Sequence, residues 1–300
     1  MPRALALKAL RLLTKNSQPF KAEFEIAIDD GDTSDDNAFK QRNIYVGLQG
    51  DFGNVIAGKH DTPLKLAGTA VDRFNDLELG DIKNTMTGEN REDNILIYTS
   101  PKFNNFTASV ALRPGEEDNG TDEDGVADGT SISVNYKADN ISVTLANDTN
   151  IQNTDTTRLV AEYTMGDYKF GALYQVAEEN DAGDGVKLSE MLKDISGKPA
   201  SGSSSATGLS GATVEEQTAY LLSAEAKFDK IVVKAQYSYS ENEFINTALD
   251  DMEVTQTAIG VDYKLSKQTK VFGYYSMVDG ESSLDDYEYD TLAVGFELKF

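Results

Sequence analysis

Side chains that could carry catalysis or hold a metal ion are scarce in this chain of 300 residues. His60 is its only histidine, and it has no cysteine. Zinc sites are built mainly from cysteine and histidine, so a zinc ion at His60 would depend on carboxylates for its other ligands. A serine hydrolase that used His60 as its base would need a G-x-S-x-G turn, which the sequence lacks. We therefore expect no catalytic site, and we interpret His60 as a residue at a surface or at the mouth of a lumen.

Acidic residues dominate the chain, with 51 Asp and Glu against 27 Lys and Arg, and the net charge is −24. Such a charge excludes a nucleic-acid partner, because phosphate binding needs clustered basic residues. The densest acidic run, DNGTDEDGVAD at 118–128, lacks the ligand spacing of an EF-hand. We interpret it as a solvated loop, with weak divalent-cation binding by acidic outer loops as the alternative. No other cofactor is expected.

From Phe20 onward, apolar and polar residues alternate in segment after segment. The run SISVNYK at 131–137, for example, places Ile132, Val134 and Tyr136 on one face and polar residues on the other. Counted from Phe20, about fourteen such strands follow one another. Short turns such as KADN alternate with long polar loops at 115–129, 178–216 and 241–253. A transmembrane barrel has this difference between its two ends, whereas a soluble sandwich has no need of it.

The polar face of these strands repeatedly carries charged residues, such as Glu162 and Lys169. They would be costly to bury unpaired in the dry core of a sandwich, but a water-filled lumen solvates them. The chain has no run of 18 apolar residues to cross a bilayer as a helix, whereas a membrane-spanning strand needs only about 9–11 residues with alternate ones apolar. We therefore predict an all-β fold, an antiparallel transmembrane β-barrel.

One connection differs from the others because it is both long and partly apolar. Residues 61–93 separate the strand-like runs NVIAGKH and NILIYTS, and their apolar residues are Leu64, Leu66, Val71, Phe74, Leu77, Leu79 and Ile82. Structureless loops longer than about 12–15 residues are usually functional or disordered, and the apolar content argues against disorder. We predict that this loop folds into the barrel and packs on its inner wall.

Residues 1–19 have a different composition, with Arg3, Lys8, Arg11 and Lys15 and no acidic residue. The segment makes a poor secretory signal, because Lys8 and Arg11 interrupt its apolar stretch. We expect a short helix or a disordered segment here, followed by a barrel domain of residues 20–300. We interpret the segment as a truncated or misread N-terminus that replaces native sequence.

Four features resemble the general diffusion porins of Gram-negative outer membranes. They are YVGLQGDFGNVIAGKHDTP at 45–63, the long loop directly after it, DNILIYTSP at 93–101, and the C-terminal strand that ends in FELKF. The resemblance implies a barrel of the 16-stranded porin type whose third extracellular loop folds into the lumen. It also implies a homotrimer in contact with outer-membrane lipid and lipopolysaccharide. Because about fourteen strands can be counted, either residues 1–19 substitute for two missing strands, or the barrel closes with fourteen, or the chain as given is not competent alone.

Members of this family place basic residues on the barrel wall opposite acidic residues of the inward loop. The resemblance assigns the basic wall to Arg42, Lys59 and Arg91. It assigns the acidic side of the constriction to Asp72, Asp76, Glu78 and Asp81, which would face the solute path. Opposed charges of this kind create a transverse field that orients dipolar solutes and disfavours apolar ones.

The function that these features favour is passive diffusion of small hydrophilic solutes and ions across the bacterial outer membrane. An excess of acids over bases in the lumen would favour cations. A plugged structural or adhesive barrel without transport is the first alternative, and a soluble secreted β protein is the second. Swelling of liposomes in sugars of graded size distinguishes the first alternative from a channel, and extraction without detergent would identify the second.

Overall fold

The computed structural model describes residues 5–8, 19–26, 39–77, 79–115, 127–180, 213–245, 251–282 and 286–299. Strands account for most of them. The strands are β1 (Leu5–Lys8), β2 (Phe20–Ile26), β3 (Phe39–Gly50), β4 (Gly53–Asp61), β5 (Arg91–Thr99), β6 (Phe106–Arg113), β7 (Gly129–Ala138), β8 (Ile141–Ile151), β9 (Thr154–Met165), β10 (Tyr168–Glu179), β11 (Thr213–Phe228), β12 (Ile231–Ile245), β13 (Asp251–Lys264), β14 (Thr269–Ser282) and β15 (Tyr287–Leu298).

All of these strands belong to one antiparallel sheet, in which each strand pairs with the next one along the chain. Fourteen of them, β2 to β15, follow Phe20, which confirms the strand count and the all-β antiparallel fold that the sequence predicts. Within the described residues, the pairing ends at β1 on one side and at β15 on the other.

The two faces of the sheet differ as alternation requires. Leu221 is fully buried on the inner face, whereas its neighbour Leu222 is 57% exposed on the outer face. Successive side chains of a strand point to opposite faces, so this contrast recurs along the sheet. The outer face carries most of the exposed large apolar residues, including Leu159, Phe170 and Ile259. An apolar outer face is what a barrel presents to lipid.

Leu5–Lys8 pairs with β2 through the register Leu5 to Ile26, where the sequence predicts a helix or disorder. A strand forms here because Leu5 and Leu7 alternate with Ala6 and Lys8, and the edge of β2 offers free backbone groups. Residues 1–4 and 9–18 lie outside the described residues, so the division of the chain at residue 19 stays a prediction.

The predicted loop at 241–253 is wrong, because most of it lies in β12 and β13. Glu241 pairs with Glu253 in the ladder of these strands, and only residues 246–250 separate them. The strands continue through charged residues such as Glu241 and Glu253, because at the polar end of the outer face these side chains are in contact with water. Most of the acidic run at 118–128 lies outside the described residues, as does 181–212.

No helix among the described residues is both long and apolar enough to cross a membrane. Nor do the described parts of the chain bring three or more His, Asp or Glu side chains together as metal ligands.

Candidate functional site

The long connection between β4 and β5 is ordered and begins with a short helix, α1 (Pro63–Gly68). Thr62 caps this helix, because its side-chain hydroxyl accepts a hydrogen bond from the backbone N–H of Lys65 at 3.2 Å. Pro63 suits the first turn, where its missing N–H leaves no helical bond unmade. A single 3₁₀ turn, Ile82–Asn84, follows later in the loop.

The apolar residues of the loop pack on the inner wall of the barrel. Leu64, Val71, Ile82 and Met86 form one cluster with wall residues from β8 to β11, which are Ala146, Val160, Leu173, Ala219 and Leu221. Phe74 forms a second cluster with Ala258 of β13 and Tyr274 of β14. The loop therefore lies inside the barrel across seven strands, β8 to β14, as the sequence predicts.

The two ends of the loop are joined by a polar cluster around Asp61. Arg91 Nε lies 2.9 Å from Asp61 Oδ1, and Lys65 Nζ lies 3.2 Å from the same oxygen. Asn43 of β3 donates to Asp61 Oδ2 at 2.8 Å and accepts from Arg91 Nε at 3.0 Å. Arg91 therefore closes the stem of the loop, and its charge is offset by Asp61.

Arg42 reaches the loop from the opposite wall because of a bulge. In regular alternation Arg42 would share the outer face of β3 with Val46 and Leu48, which are 66% and 58% exposed. The pairing of β2 with β3 shifts register between Ala22 and Phe24. A bulge re-aims side chains near the extra residue, and Arg42 points inward as a result.

The inward Arg42 contacts the tip of the loop, which is the turn around Asp76. Its Nη2 lies 2.6 Å from Asp76 Oδ1, and its other guanidinium nitrogens lie 3.6 Å from Glu23 and 3.5 Å from Glu25. The structure therefore brings together one basic wall residue and one loop acid that the resemblance assigns to the constriction.

Two other predicted loop acids, Asp72 and Asp81, do not face open space. Asp72 accepts hydrogen bonds from the backbone N–H of Phe74 at 3.0 Å and of Ile82 at 3.3 Å. Asp81 accepts from the N–H of Asp76 at 2.9 Å and of Lys83 at 3.0 Å. Both carboxylates are buried and fold the tip of the loop upon itself, because they replace the partners that its backbone lacks.

Burial also changes the ionisation of these two groups. Loss of solvation raises the pKa of Asp72 well above its usual range, and the neighbouring Asp81 adds to the rise. Burial raises the pKa of Asp81 as well, although Lys83 opposes the change. The charge that the loop presents to the lumen is therefore smaller than its acid count suggests.

Lys59 stands apart from Arg42 and Arg91. Lys59 pairs in the sheet with Ile44, which lies on the same face of β3 as the outward Val46. The Lys59 ammonium forms an ion pair with Asp93 at 3.0 Å. His60 donates from Nδ1 to the carbonyl oxygen of Asp61 at 2.7 Å. Glu78 lies outside the described residues. Whether the assigned residues form the solute constriction stays a prediction.

Arg158 of β9 is a functional candidate that the resemblance did not assign. It is fully buried between the wall and the loop, and its Nη1 lies 2.6 Å from Glu89 Oε1. Alternation places Arg158 on the inner face beside the outward Leu159, so its direction could be predicted. Its contact with residue 89 could not, because only the folded loop brings the two together.

The other face of the loop is open. Leu66 is 43% exposed, Thr69, Asn75 and Lys83 are exposed, and the side chain of Asp76 is 58% exposed. These groups offer hydrogen bonds and charge to a passing solute but no arrangement of nucleophile and base. Such a surface can filter solutes by size, polarity and charge.

Comparisons with known proteins agree with this geometry. The family model described as Gram-negative porin matches residues 14–283. The major outer membrane protein P.IB of Neisseria gonorrhoeae is 23% identical over 278 residues, which cover 85% of this chain and 72% of that protein. Outer membrane porin protein 32 of Delftia acidovorans is 27% identical over 268 residues, with coverage of 85% and 67%.

The fold also matches a solved porin. The anion-selective porin from Comamonas acidovorans superposes with a TM-score of 0.61 at 20% identity, over 94% of this chain and 83% of that one. At this identity the likeness concerns the fold, whereas the family model covers most of the sequence. The chain therefore belongs to the Gram-negative porin family and is a bacterial outer-membrane protein.

Proposed function

We propose that the protein is a passive diffusion channel for small hydrophilic solutes and ions, filtered by the inward loop 61–93, with no catalytic activity of its own. The observation that carries this proposal is the two-sided character of the loop. Most of its apolar side chains are buried against the wall between β8 and β14, while its polar residues Asn75 and Asp76 are exposed. A loop held in this way narrows a lumen and leaves a hydrated path beside it.

Recordings from planar bilayers test the proposal. The purified protein should produce stepwise conductance, and its absence would contradict a channel. Liposome swelling in sugars of graded size should show a size limit. A plugged structural or adhesive barrel would admit none of the sugars.

We expect the channel to prefer cations. The net charge is −24, and each arginine within the described part of the chain forms an ion pair with a carboxylate, namely Arg42, Arg73, Arg91, Arg113 and Arg158. Fixed cations that could attract anions are therefore offset by nearby acids. This expectation differs from the anion preference in the name of the Comamonas acidovorans porin.

Reversal potentials in a salt gradient measure the preference. Arg42→Gln should shift the potential further toward the cation value, because it leaves Asp76, Glu23 and Glu25 without their shared partner. Lys102→Gln removes the same charge from an exposed turn and serves as the control. Equal shifts in the two variants would mean that Arg42 does not line the solute path.

We also expect contact with the polar layer of the outer membrane, including lipopolysaccharide. Five carboxylates lie directly opposite one another on adjacent strands, in the order Asp155, Glu178, Glu216, Glu243 and Asp251. Glu178 alternates in phase with Tyr174, which is 51% exposed on the outer face. Like charges directly opposed across strands are destabilising, and divalent cations shared with lipid phosphates would relieve them.

Removal of divalent cations tests this contact. A chelator should lower the melting temperature in bilayers that contain lipopolysaccharide, and Mg²⁺ should restore it. Glu216→Gln should reduce the effect, because it removes the central charge of the row. An identical effect of the chelator in phospholipid alone would argue against lipopolysaccharide as the partner.

The resemblance to general porins further supports a homotrimer. Chemical crosslinking in mild detergent should capture three copies, and a monomer under all conditions would contradict this assembly.

A further inference from the structure

The second half of the loop crosses the inner wall without joining any strand. Residues 79–87 are largely buried, and their backbone groups have no sheet ladder to satisfy them. An unpaired backbone group away from water costs free energy comparable to a lost hydrogen bond. Turns within the loop and the carboxylates of Asp72 and Asp81 satisfy some of these groups, and side chains of the wall supply further partners.

The contacts begin at Thr87, opposite β9 and β10. The carbonyl oxygen of Thr87 accepts from Arg158 Nη2 at 3.0 Å and from Gln175 Nε2 at 3.1 Å. Arg158 Nη1 also donates to the carbonyl oxygen of Leu64 at 3.3 Å, and its charge meets Glu89. Arg158 thus ties the helical start of the loop to its end.

The next contacts come from β11 and β12. Gln217 Oε1 accepts from the backbone N–H of Thr87 at 2.9 Å, and Gln217 Nε2 donates to Asn242 Oδ1 at 2.6 Å. Thr85 Oγ1 donates to Ser238 Oγ at 3.0 Å. Gln175 Nε2 also donates to Gln217 Oε1 at 3.1 Å, so the wall side chains are bonded to one another as well.

The contacts end near the tip, opposite β12 to β14. Gln236 Nε2 donates to the carbonyl oxygen of Gly80 at 3.1 Å, and Gln236 Oε1 accepts from the N–H of Arg73 at 2.8 Å. Gln256 and Ser276 both donate to the carbonyl oxygen of Leu79. Six consecutive strands, β9 to β14, therefore each contribute at least one buried side chain. We name the following set, one from each strand, the polar row: Arg158, Gln175, Gln217, Gln236, Gln256 and Ser276.

We propose that the polar row sets the position of the loop and thereby the size of solute that the channel admits. Most of its contacts are to the main chain of the loop, so they determine where its backbone lies whichever side chains face the lumen. The members of the row are positioning residues, since they are buried and touch no solute. This inference rests on the proposed channel function, and it predicts a fixed loop rather than a moving gate.

A removable crosslink tests the inference directly. The chain has no cysteine, and Thr85 Oγ1 lies 3.0 Å from Ser238 Oγ, so Thr85→Cys with Ser238→Cys should form a disulfide between loop and wall. In an otherwise unchanged channel, oxidation should leave the conductance and the sugar size limit as they are. A clear change on oxidation would overturn the proposal, because it would mean that the loop normally moves.

Variants of the row provide the second arm. Gln175→Met should shift the equilibrium between docked and undocked loop by roughly tenfold, and Arg158→Met should shift it further, because Glu89 would lose the buried guanidinium 2.6 Å away. The size limit should rise and the open-channel current should become noisier. Asn135→Leu is the matched control, because Asn135 is an inward amide whose side chain, among the described residues, bonds the wall residues Ser142, Val143 and Thr144 and not the loop.

Rescue separates positioning from general damage. In the cysteine pair that also carries Arg158→Met, oxidation should restore the original size limit and reduction should abolish it again. An Arg158→Met channel with an unchanged size limit, or one that oxidation does not restore, would overturn the proposal. If Arg158→Met fails to fold, the crosslink in the otherwise unchanged channel decides.

Hydrogen exchange keeps the result independent of transport. Amides of residues 79–89 should exchange roughly tenfold faster in Gln175→Met than in Asn135→Leu. Equal exchange would overturn the polar row even in a conducting protein. Faster exchange in a protein without conductance would support the row and refute the channel.

Discussion

Phe74→Ala should release the tip of the loop while the barrel stays folded. The Phe74 side chain is fully buried against Ala258 and Tyr274, and the Lys234 ammonium lies 5.1 Å from its ring centroid. Truncation of a fully buried phenylalanine costs about 3–5 kcal/mol. The strands of the barrel depend on their own ladders, so this loss acts on docking of the loop.

A buried thiol can report the docking equilibrium. Thr85 is fully buried, so a reagent should label Thr85→Cys only when the loop opens. Because each 1.4 kcal/mol changes an equilibrium tenfold, a loss of about 3–5 kcal/mol in Phe74→Ala should raise the labelling rate by roughly 10²- to 4 × 10³-fold. The circular dichroism of the strands should not change.

Leu66→Ala in the same reporter background is the control. Leu66 lies in the same loop but is 43% exposed, so its truncation should change the rate by less than about threefold. A rise in the labelling rate of less than about tenfold in Phe74→Ala would refute the reasoning, because it would mean that packing of Phe74 against Ala258 and Tyr274 does not hold the loop.

Two further predictions use the same reporter. A Cβ at Gly260 would lie 2.9 Å from Phe74 Cε1, so Gly260→Ala should overpack the site that holds the Phe74 ring, at a cost of about 1–3 kcal/mol, and should speed labelling. In Gly273→Ala the nearest atom to the new Cβ lies at 3.7 Å, so labelling should not change. Equal labelling rates in the two variants would count against packing of Phe74 as the contact that holds the loop. Burial raises the pKa of Asp72, so protonation favours the docked loop: this contribution is complete below the ordinary pKa of 3.8 and is lost as pH rises through the raised value. Labelling, normalised to an exposed Asn75→Cys reporter, should therefore slow as the pH falls from neutral. Asp72→Asn should weaken this pH dependence, and the part that remains belongs to Asp81, whose pKa burial also raises. Labelling that accelerates on mild acidification would contradict the sign of the pKa shift.

Alternation and turn spacing predict the fourteen strands from Phe20, since side-chain direction in a strand is a local property with a period of two. The apolar residues of 61–93 likewise predict a packed loop, because Phe74 and Leu79 require burial wherever the loop lies. The fate of charged residues is less local. The same alternation would direct Arg42 outward, and only the register shift between β2 and β3 turns it toward Asp76.

Neighbouring residues are enough to predict the strands from Phe20 onward, the two faces of the sheet and the presence of a packed loop. Tertiary structure alone decided that Asp72 is buried within the loop, and that Gln236 holds it from 164 positions away in the chain. It also decided that Arg158 meets Glu89 across 69 positions. These contacts could not be predicted because a hydrogen bond depends on where two atoms lie in space, and the path of a loop across a wall is set by many such contacts together.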